Sequence, residues 1–134
     1  TTSWNPVPTG NIQGICPSGW HLPTDGEWKT LATCLGGDSI AGGKMKETGT
    51  VHWLSPNTGA TNSSGFTALP GGNRYDYGDF SSLSSFAFFG SSSEKHPDEF
   101  WDWGLSYYSG YIFQYDDGKA YGYSVRCLKN NSSK

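Results

Sequence analysis

The sequence lacks long hydrophobic runs and is poor in charge. No stretch of about 18 apolar residues occurs, which excludes a membrane-spanning helix. Only 16% of the 134 residues are charged, the net charge is −3, and the Lys and Arg residues are dispersed along the chain. A nucleic-acid-binding surface needs clustered basic residues, so we expect neither membrane insertion nor a nucleic-acid partner.

Cysteine is also scarce, with Cys16, Cys34 and Cys127 as the three in the chain. Cys16 and Cys127 lie beside strand-like sequence near opposite ends, and we predict that they form a disulfide. That bond would close a loop of about 110 residues and stabilise the fold by about 4–5 kcal/mol. The alternative is three buried, reduced cysteines. With the disulfide formed, Cys34 is expected to be a buried free thiol at the end of a helix.

Residue spacings typical of catalytic and zinc sites are absent. His21, His52 and His96 are far apart, and neither a His-x-x-x-His nor a Cys-x-x-Cys motif occurs. We interpret His21 as a packing residue. Asp98-Glu99 and Asp116-Asp117 are adjacent in sequence, and neighbours in a strand point to opposite faces, which makes poor acid–base pairs. We therefore predict that the protein is not an enzyme and uses no cofactor.

Calcium is the alternative to a metal-free protein. Hard oxygen ligands are available in one acidic stretch, from Glu94, Asp98, Glu99 and Asp102. The Glu-Pro-Asn and Gln-Pro-Asp tripeptides of sugar-binding lectin loops do not occur. A carbohydrate site made of stacked aromatic rings without metal remains a further possibility, through Trp103, Tyr108 and Tyr115.

Aromatic residues, Gly and Ser are plentiful and concentrate in Phe100–Leu128. Six of the eight tyrosines lie between Tyr107 and Tyr123. Tyrosine and tryptophan give large, rigid contact area, while Ser, Gly and Asp adapt their hydrogen bonds, which is typical of a recognition surface. A β-core rich in aromatics is the alternative interpretation.

A helix is predicted to begin at Thr24 and run for about 11 residues. Thr24 and Glu27 form a capping-box motif, and Trp28, Leu31 and Leu35 give an apolar stripe. Glycine supplies the left-handed stop at Gly36-Gly37. A second, shorter helix is possible within Asp38–Thr48 but would be interrupted at Gly42-Gly43, and its Lys44 and Lys46 are expected to be solvated.

The last third alternates with the period of a β-strand. Trp101, Trp103, Leu105 and Tyr107 are predicted on one face, and Asp102, Gly104, Ser106 and Tyr108 on the other. Turn signals at Ser109-Gly110 and Asp117-Gly118 then predict strands over Tyr111–Tyr115 and Lys119–Leu128. Elsewhere we expect an edge strand in Thr1–Val7, inward-facing Trp20 and Leu22, a long irregular loop from Gly49 to Gly72, a short buried strand at Phe86–Gly90 and a polar loop at Ser91–Asp98. The fold class is α+β.

Four motifs occur in a fixed order along the chain. They are Ile15–Trp28 (ICPSGWHLPTDGEW), Ala41–Thr48 (AGGKMKET), Pro56–Gly72 (PNTGATNSSGFTALPGG) and Gly122–Cys127 (GYSVRC). Together they resemble the Fibrobacter succinogenes major paralogous domain, over about Cys16 to Lys129. The resemblance implies a C-type-lectin-like fold of the formylglycine-generating-enzyme variety, on secreted or cell-surface proteins of bacteria. The oxidase chemistry of those enzymes needs two neighbouring redox cysteines, which this chain does not offer.

Some members of that lectin-like group are variable proteins, diversified in a C-terminal segment by a retroelement that mutates adenines. Phe100–Tyr123 is filled with residues that a mutated Asn codon yields. Framework positions would then be Trp101, Leu105, Ile112, Lys119 and Gly122. Varied positions would be Asp102, Gly104, Ser106, Tyr107, Tyr108, Phe113, Tyr115, Asp116, Asp117 and Tyr121.

We therefore predict a single C-type-lectin-like domain over residues 1–134, with one or two helices on a small antiparallel sheet and long loops. Its function would be non-enzymatic binding of a protein or glycan on another surface, as a receptor- or adhesin-like module within a larger secreted or surface chain. The alternatives are a carbohydrate-binding domain of a polysaccharide-degrading protein and a purely structural domain. The predicted binding residues are Asp102, Trp103, Ser106, Tyr107, Tyr108, Phe113, Tyr115, Asp116, Asp117 and Tyr121.

Overall fold

The computed structural model describes residues 11–131, and the predicted edge strand at Thr1–Val7 lies outside them. No helix in this range is long and apolar enough to cross a membrane. The elements, in chain order, are β1 (Trp20–His21), α1 (Asp25–Cys34), α2 (Asp38–Met45), β2 (Asn73–Arg74), β3 (Phe80–Ser81), β4 (Phe86–His96), β5 (Glu99–Ser106), β6 (Ile112–Gly118) and β7 (Leu128–Lys129). Two short helices with small antiparallel sheets confirm the α+β class.

Helix α1 begins and ends as its sequence predicts. The Thr24 hydroxyl accepts a hydrogen bond from the Glu27 amide at 3.1 Å, and the Glu27 carboxylate accepts one from the Thr24 amide at 3.1 Å. Two of the amides that a helix start leaves unpaired are thereby satisfied. At the other end Gly36 and Gly37 have φ of 106° and 100°, which residues with a Cβ rarely adopt. Trp28 is buried on the side of the helix that faces the core.

Helix α2 continues through Gly42 and Gly43, so the predicted interruption is wrong. A Cβ at Gly42 would lie 2.1 Å from the carbonyl oxygen of Tyr111, and one at Gly43 would lie 2.2 Å from that of Gly59. The two glycines therefore let the helix backbone touch two other segments directly. Their helix-breaking tendency is outweighed by this close packing.

The main sheet is an antiparallel meander in the order β4-β5-β6. The sequence predicts a meander whose first strand is the one observed as β5, so the predicted meander begins one strand too late in the chain. Ser91–Asp98 is not a polar loop, because β4 continues to His96 and Ser91 and Ser92 are buried. Asp117 and Gly118 do not form a hairpin turn, because they pair with Phe100 and Glu99 inside β6. The predicted strand Lys119–Leu128 is also wrong, since only its last residue belongs to a strand, β7.

A disulfide and a two-stranded ladder hold the two ends of the described chain together. Cys16 and Cys127 form the predicted disulfide across a separation of 111 residues, and β1 pairs with β7. Cys34 is a free thiol at the end of α1, as predicted, but it is exposed rather than buried.

His21, not Trp20, is the inward-facing residue of β1. Trp20 is 39% exposed, whereas His21 is buried. The two ring nitrogens of His21 contact Asn130 Oδ1 at 2.6 Å and Glu27 Oε2 at 2.9 Å. The ring therefore joins β1 to the start of α1 and to the segment after β7, which fits the predicted packing role.

The core lies between the helices and one face of the main sheet. Helix α1 packs on β4 and β5, and α2 packs on β6. The long loop between α2 and β2 contributes Trp53, whose indole N–H donates to the Ala68 carbonyl at 3.0 Å. The buried apolar residues of this core are Trp28, Ala32, Ala41, Met45, Trp53, Ala68, Ala87, Phe89, Trp103, Leu105 and Ile112.

Lys46 follows α2 directly and is fully buried, so the prediction of a solvated Lys46 is wrong. Its ammonium donates to the carbonyl oxygens of Thr58, Ser106 and Ser109 at 2.8, 2.9 and 2.9 Å. It also lies 5.4 Å from the centre of the Trp53 ring. Burial lowers the pKa of Lys46 from 10.5 to about 8, so the ammonium is still charged at neutral pH. Three N–H donors meet three carbonyl acceptors, which leaves none of these donors unpaired.

Replacing Lys46 by Met tests the importance of this contact. Lys46→Met keeps the length of the side chain but leaves three carbonyl oxygens without their donor. We expect the free energy of unfolding at pH 7 to fall by roughly 3 kcal/mol or more, measured by urea denaturation. Lys44→Met, in the last turn of α2 and only partly buried, is the matched control and should change it by less than about 0.5 kcal/mol. Equal effects of the two substitutions would contradict this role of Lys46.

Candidate functional site

The strand register divides the main sheet into an inner face on the core and an outer face. Phe88 of β4 pairs with Gly104 of β5, which pairs with Phe113 of β6, and these three residues share the outer face. Phe89 and Trp103 form an opposite pair on the inner face. The prediction that Asp102, Gly104 and Ser106 share one face is confirmed. The outer face consists of Phe86, Phe88, Gly90, Phe100, Asp102, Gly104, Ser106, Phe113, Tyr115 and Asp117.

Aromatic rings cover this outer face in an unbroken series of contacts. Phe88 lies at the centre, with ring centroids 5.3 Å from Phe86, 6.0 Å from Tyr115 and 5.7 Å from Tyr123. From Tyr115 the contacts continue through Phe113 to Tyr111, and from Tyr123 through Tyr121 and Tyr75 to Tyr77. Phe100 adds a contact to Tyr123, and Tyr108 adds one to Phe86. We call these rings the aromatic face; its members are Tyr75, Tyr77, Phe86, Phe88, Phe100, Tyr108, Tyr111, Phe113, Tyr115, Tyr121 and Tyr123.

The central strand makes room for the rings by carrying small residues beneath them. A Cβ at Gly104 would lie 2.8 Å from Tyr115 Cε2 and 3.2 Å from Phe88 Cδ1. Ser106, two residues further on, is also fully buried. The rings of β4 and β6 therefore meet above β5, which presents little side-chain bulk of its own.

Asp102 is a buried carboxylate beneath this layer of rings. Its exposure is 0%, and neither carboxylate oxygen has a hydrogen-bond partner on another residue. Burial, together with the smaller effect of the charges of Asp117 and Asp116, raises the pKa of Asp102 from 3.8 to about 7. An unpaired charge in such surroundings is costly, so the carboxyl holds its proton up to neutral pH.

A cleft of about 480 Å³ opens at one end of the aromatic face. Tyr123 in its wall donates from its hydroxyl to Asp117 Oδ2 at 2.5 Å, and burial together with this bond raises the pKa of Tyr123. Lys119, also in the wall, forms an ion pair with Glu94. The lining residues are Leu22, Gly90, Ser91, Pro97, Phe100, Lys119, Tyr121, Tyr123, Ser124 and Val125.

The predicted binding residues fall into three groups. Tyr108, Phe113, Tyr115 and Tyr121 belong to the aromatic face, and Asp117 lies beside Tyr123. Asp102 and Ser106 are on the outer face but fully buried beneath the rings.

Trp103 and Asp116 lie away from the aromatic face, whereas Tyr107 touches its edge. Trp103 is on the inner face and donates to Asp25 Oδ1 at 2.9 Å. Asp116 is also on the inner face and pairs with Lys95. Tyr107 packs against the core, and its ring centroid lies 5.3 Å from that of Tyr108. A binding surface on the outer face therefore excludes Trp103 and Asp116, because strand alternation points them the other way.

The sequence prediction missed several rings of the aromatic face. The sequence predicts a short buried strand at Phe86 and Phe88, yet these residues alternate with the buried Ala87 and Phe89 and lie on the outer face. The alternation Phe86-Ala87-Phe88 in the sequence indicates that the two phenylalanines lie on the same face of the strand. Tyr75 and Tyr77 reach the same surface from the loop between β2 and β3, and only tertiary structure places them there.

The four candidate calcium ligands are not brought together. Glu94 is paired with Lys119, Asp102 is buried on the outer face, and Glu99 lies on the inner face. Among residues 11–131 no three His, Cys, Asp or Glu side chains form a group that could hold a metal ion. Bound calcium stays a hypothesis without a donor cluster in this part of the chain.

Fold and surface together define a small α+β domain with a disulfide across its ends and a sheet covered by aromatic rings. The chain matches the model of the Fibrobacter succinogenes major domain over residues 4–129. The chain belongs to this family, as its motifs predict. No curated protein and no solved structure matches it.

The buried carboxyl predicts a pH-dependent cost of folding. Because the pKa of Asp102 is higher in the folded than in the unfolded chain, its contribution to stability is greatest below about pH 3.8 and is lost as the pH rises to about 7. Asp102→Asn removes this loss. We expect the free energy of unfolding of the variant, relative to the unsubstituted protein, to rise by up to roughly 4 kcal/mol between about pH 4 and pH 7.5.

Urea denaturation across that pH range measures the difference. Asp38→Asn, which removes an exposed carboxylate from the first turn of α2, serves as the control for the general change in charge. Parallel pH profiles for the Asp102→Asn variant and the unsubstituted protein would show that Asp102 is not the group that titrates.

Proposed function

We propose that this domain is a non-enzymatic ligand-binding module, which holds a protein or glycan against its aromatic face. The observation that supports the proposal is the unbroken series of ring contacts on the outer face. Tyr108 and Tyr111 are 54% and 51% exposed, and Tyr77 is 71% exposed. A contiguous exposed aromatic surface is costly in water and is typical of an interaction site.

The arrangement of the rings suits binding because little order has to be created when a partner arrives. Each tyrosine contacts at least one other ring, for example Tyr75 with Tyr77 at 5.2 Å and Tyr111 with Phe113 at 5.9 Å. Rings that already hold their positions lose less conformational entropy on binding. Their hydroxyl groups add hydrogen bonds at the edge of an apolar contact.

A binding role rather than a catalytic one is favoured by the chemistry of the cleft. Its lining contains no histidine, cysteine or carboxylate side chain. Asp102 has a raised pKa but lies beneath the rings, away from a substrate on the surface. General acid–base catalysis needs a group within hydrogen-bond reach of the reacting atom.

The same proposal includes a C-type-lectin-like fold and a place outside the cell. A disulfide that closes almost the whole described chain fits an oxidising compartment. Carriage on a secreted or cell-surface protein of bacteria is what the family resemblance implies.

The proposal is tested with a glycan array and a panel of purified surface proteins. The unsubstituted domain should bind at least one of them, and Tyr108→Ala combined with Tyr111→Ala should weaken that binding by about tenfold or more. Its melting temperature should change little, because both rings are half exposed. Phe80→Ala, at a residue that is 82% exposed outside the aromatic face, should leave binding unchanged. A domain that binds nothing in either panel would point to the structural alternative.

Diversification of the aromatic face by a retroelement is a second part of the proposal. Burial limits the positions at which the fold tolerates different side chains. Tyr108 is exposed and Phe113 and Tyr115 are half-buried, whereas Asp102, Gly104 and Ser106 are buried and leave no space for bulkier side chains. We expect the source locus to carry a template repeat and a reverse transcriptase, with variation concentrated at the exposed positions. Sequencing of that locus measures this, and absence of both elements would exclude diversification.

A further inference from the structure

The centre of the aromatic face combines rings with negative charge. Asp102 lies on β5 beneath it, and Asp117 lies two residues beyond Tyr115 on the same face of β6. Asp102 pairs with Tyr115 of β6 on one side and with Gly90 of β4 on the other. A Cβ at Gly90 would lie 3.9 Å from Tyr123 Cβ, so both tyrosines flank the place where Asp102 lies. Phe88 contacts both of them. Rings on several sides and two carboxylates therefore converge on one spot.

Nothing in the described chain neutralises Asp102. Its two oxygens have no donor on another residue, although the side chain is fully buried. Two lysines at this end of the sheet, Lys95 in β4 and Lys119 directly after β6, pair with other acids, namely Asp116 and Glu94. A carboxylate kept in the interior without a counter-charge lowers stability, so its presence calls for a role outside folding.

The rings and the two carboxylates together suit a cationic ligand that lies above the rings. The face of an aromatic ring attracts an ammonium or guanidinium group, and the attraction grows when water is excluded. A carboxylate behind the rings acts on that cation through a medium of low dielectric constant, where its field is screened less than in water. Neutral sugars would gain from the rings but not from the buried charge.

We infer that the centre of the aromatic face, at Phe88, Tyr115 and Tyr123, binds a basic side chain of a protein partner, with Asp117 and the buried Asp102 as its counter-charges. This inference rests on the binding function proposed above and specifies the chemistry of its ligand. The partner is a protein segment with exposed lysine or arginine, and a neutral glycan is the competing ligand class.

Binding of such a cation is coupled to the proton on Asp102. Below neutral pH the carboxyl is protonated and offers no charge, whereas above it the carboxylate is available. Affinity should therefore rise with pH. β4 faces Asp102 with Phe88 and Gly90, which do not titrate. The titratable groups around it are Tyr115, Asp116 and Asp117 of β6 and Tyr123 beyond it.

The test uses a capped tetralysine peptide as probe and follows the backbone amide signals of the ¹⁵N-labelled domain by NMR. The probe keeps its charge at both pH 5.5 and pH 7.5. We expect signals of Gly104, Tyr115 and Asp117 to shift, with binding about fivefold or more tighter at pH 7.5. Tetralysine acetylated on its side chains, and cellotetraose as a neutral sugar, should bind at least about fivefold more weakly.

Two variants of equal net charge separate the site from general attraction to an acidic protein. Asp102→Asn should weaken binding at pH 7.5 by about fivefold and abolish the pH dependence. Asp38→Asn on α2 removes the same charge at a distance and should stay within about twofold of the unsubstituted protein. Asp117→Asn is the second site variant and should weaken binding at both pH values.

The inference is overturned if tetralysine causes no shifts at pH 7.5, or if Asp102→Asn keeps the pH dependence. It is also overturned if cellotetraose binds in place of tetralysine, since the ligand is then a neutral glycan. In each of these cases the binding function stands as long as the Tyr108 and Tyr111 substitutions still weaken capture of a partner. If tetralysine does not bind and the Tyr108 and Tyr111 substitutions also have no effect, the proposed binding function itself is refuted.

Discussion

The ammonium of Lys46 is the contact on which the rest of the arrangement depends. It joins the residue after α2 to the long loop at Thr58, to the end of β5 at Ser106 and to the following turn at Ser109. That turn carries Tyr108 and leads to Tyr111, so one buried charge fixes the place where two exposed rings leave the sheet. Its three carbonyl partners come from segments that have no regular ladder between them, which is why a single cation with three donors is effective there.

The outer face contains a buried ionisable group, Asp102, whose effect on stability is opposite to that of Lys46. Asp102 lowers stability by being buried without a partner, whereas Lys46 is buried with every donor satisfied. Both are ionisable groups in the interior, and the hydrogen-bond partners around each decide whether its burial stabilises the fold or costs free energy. A costly group retained beneath an exposed aromatic surface is in keeping with the proposed binding role of that surface, because functional sites are where such costs are usually retained.

Local signals in the sequence predict local structure well in this chain. The Thr24–Glu27 capping box and the Gly36-Gly37 stop define α1, and strand alternation places Gly104 on the outer face. Prediction fails where distant segments decide. Gly42 and Gly43 remain helical because other backbones press against them, and Lys46 is buried because three separate carbonyls surround it. Asp117-Gly118 has the composition of a hairpin turn, yet pairing with β5 keeps it extended.

The Cys16–Cys127 bond gives the domain a mechanical property. When the chain is pulled from its two ends, tension crosses the sulfur–sulfur bond and bypasses the residues between them. The aromatic face lies wholly inside that protected loop, so it keeps its shape while the polypeptide around it is under load. The proposed binding surface is thereby separated from the line along which force travels.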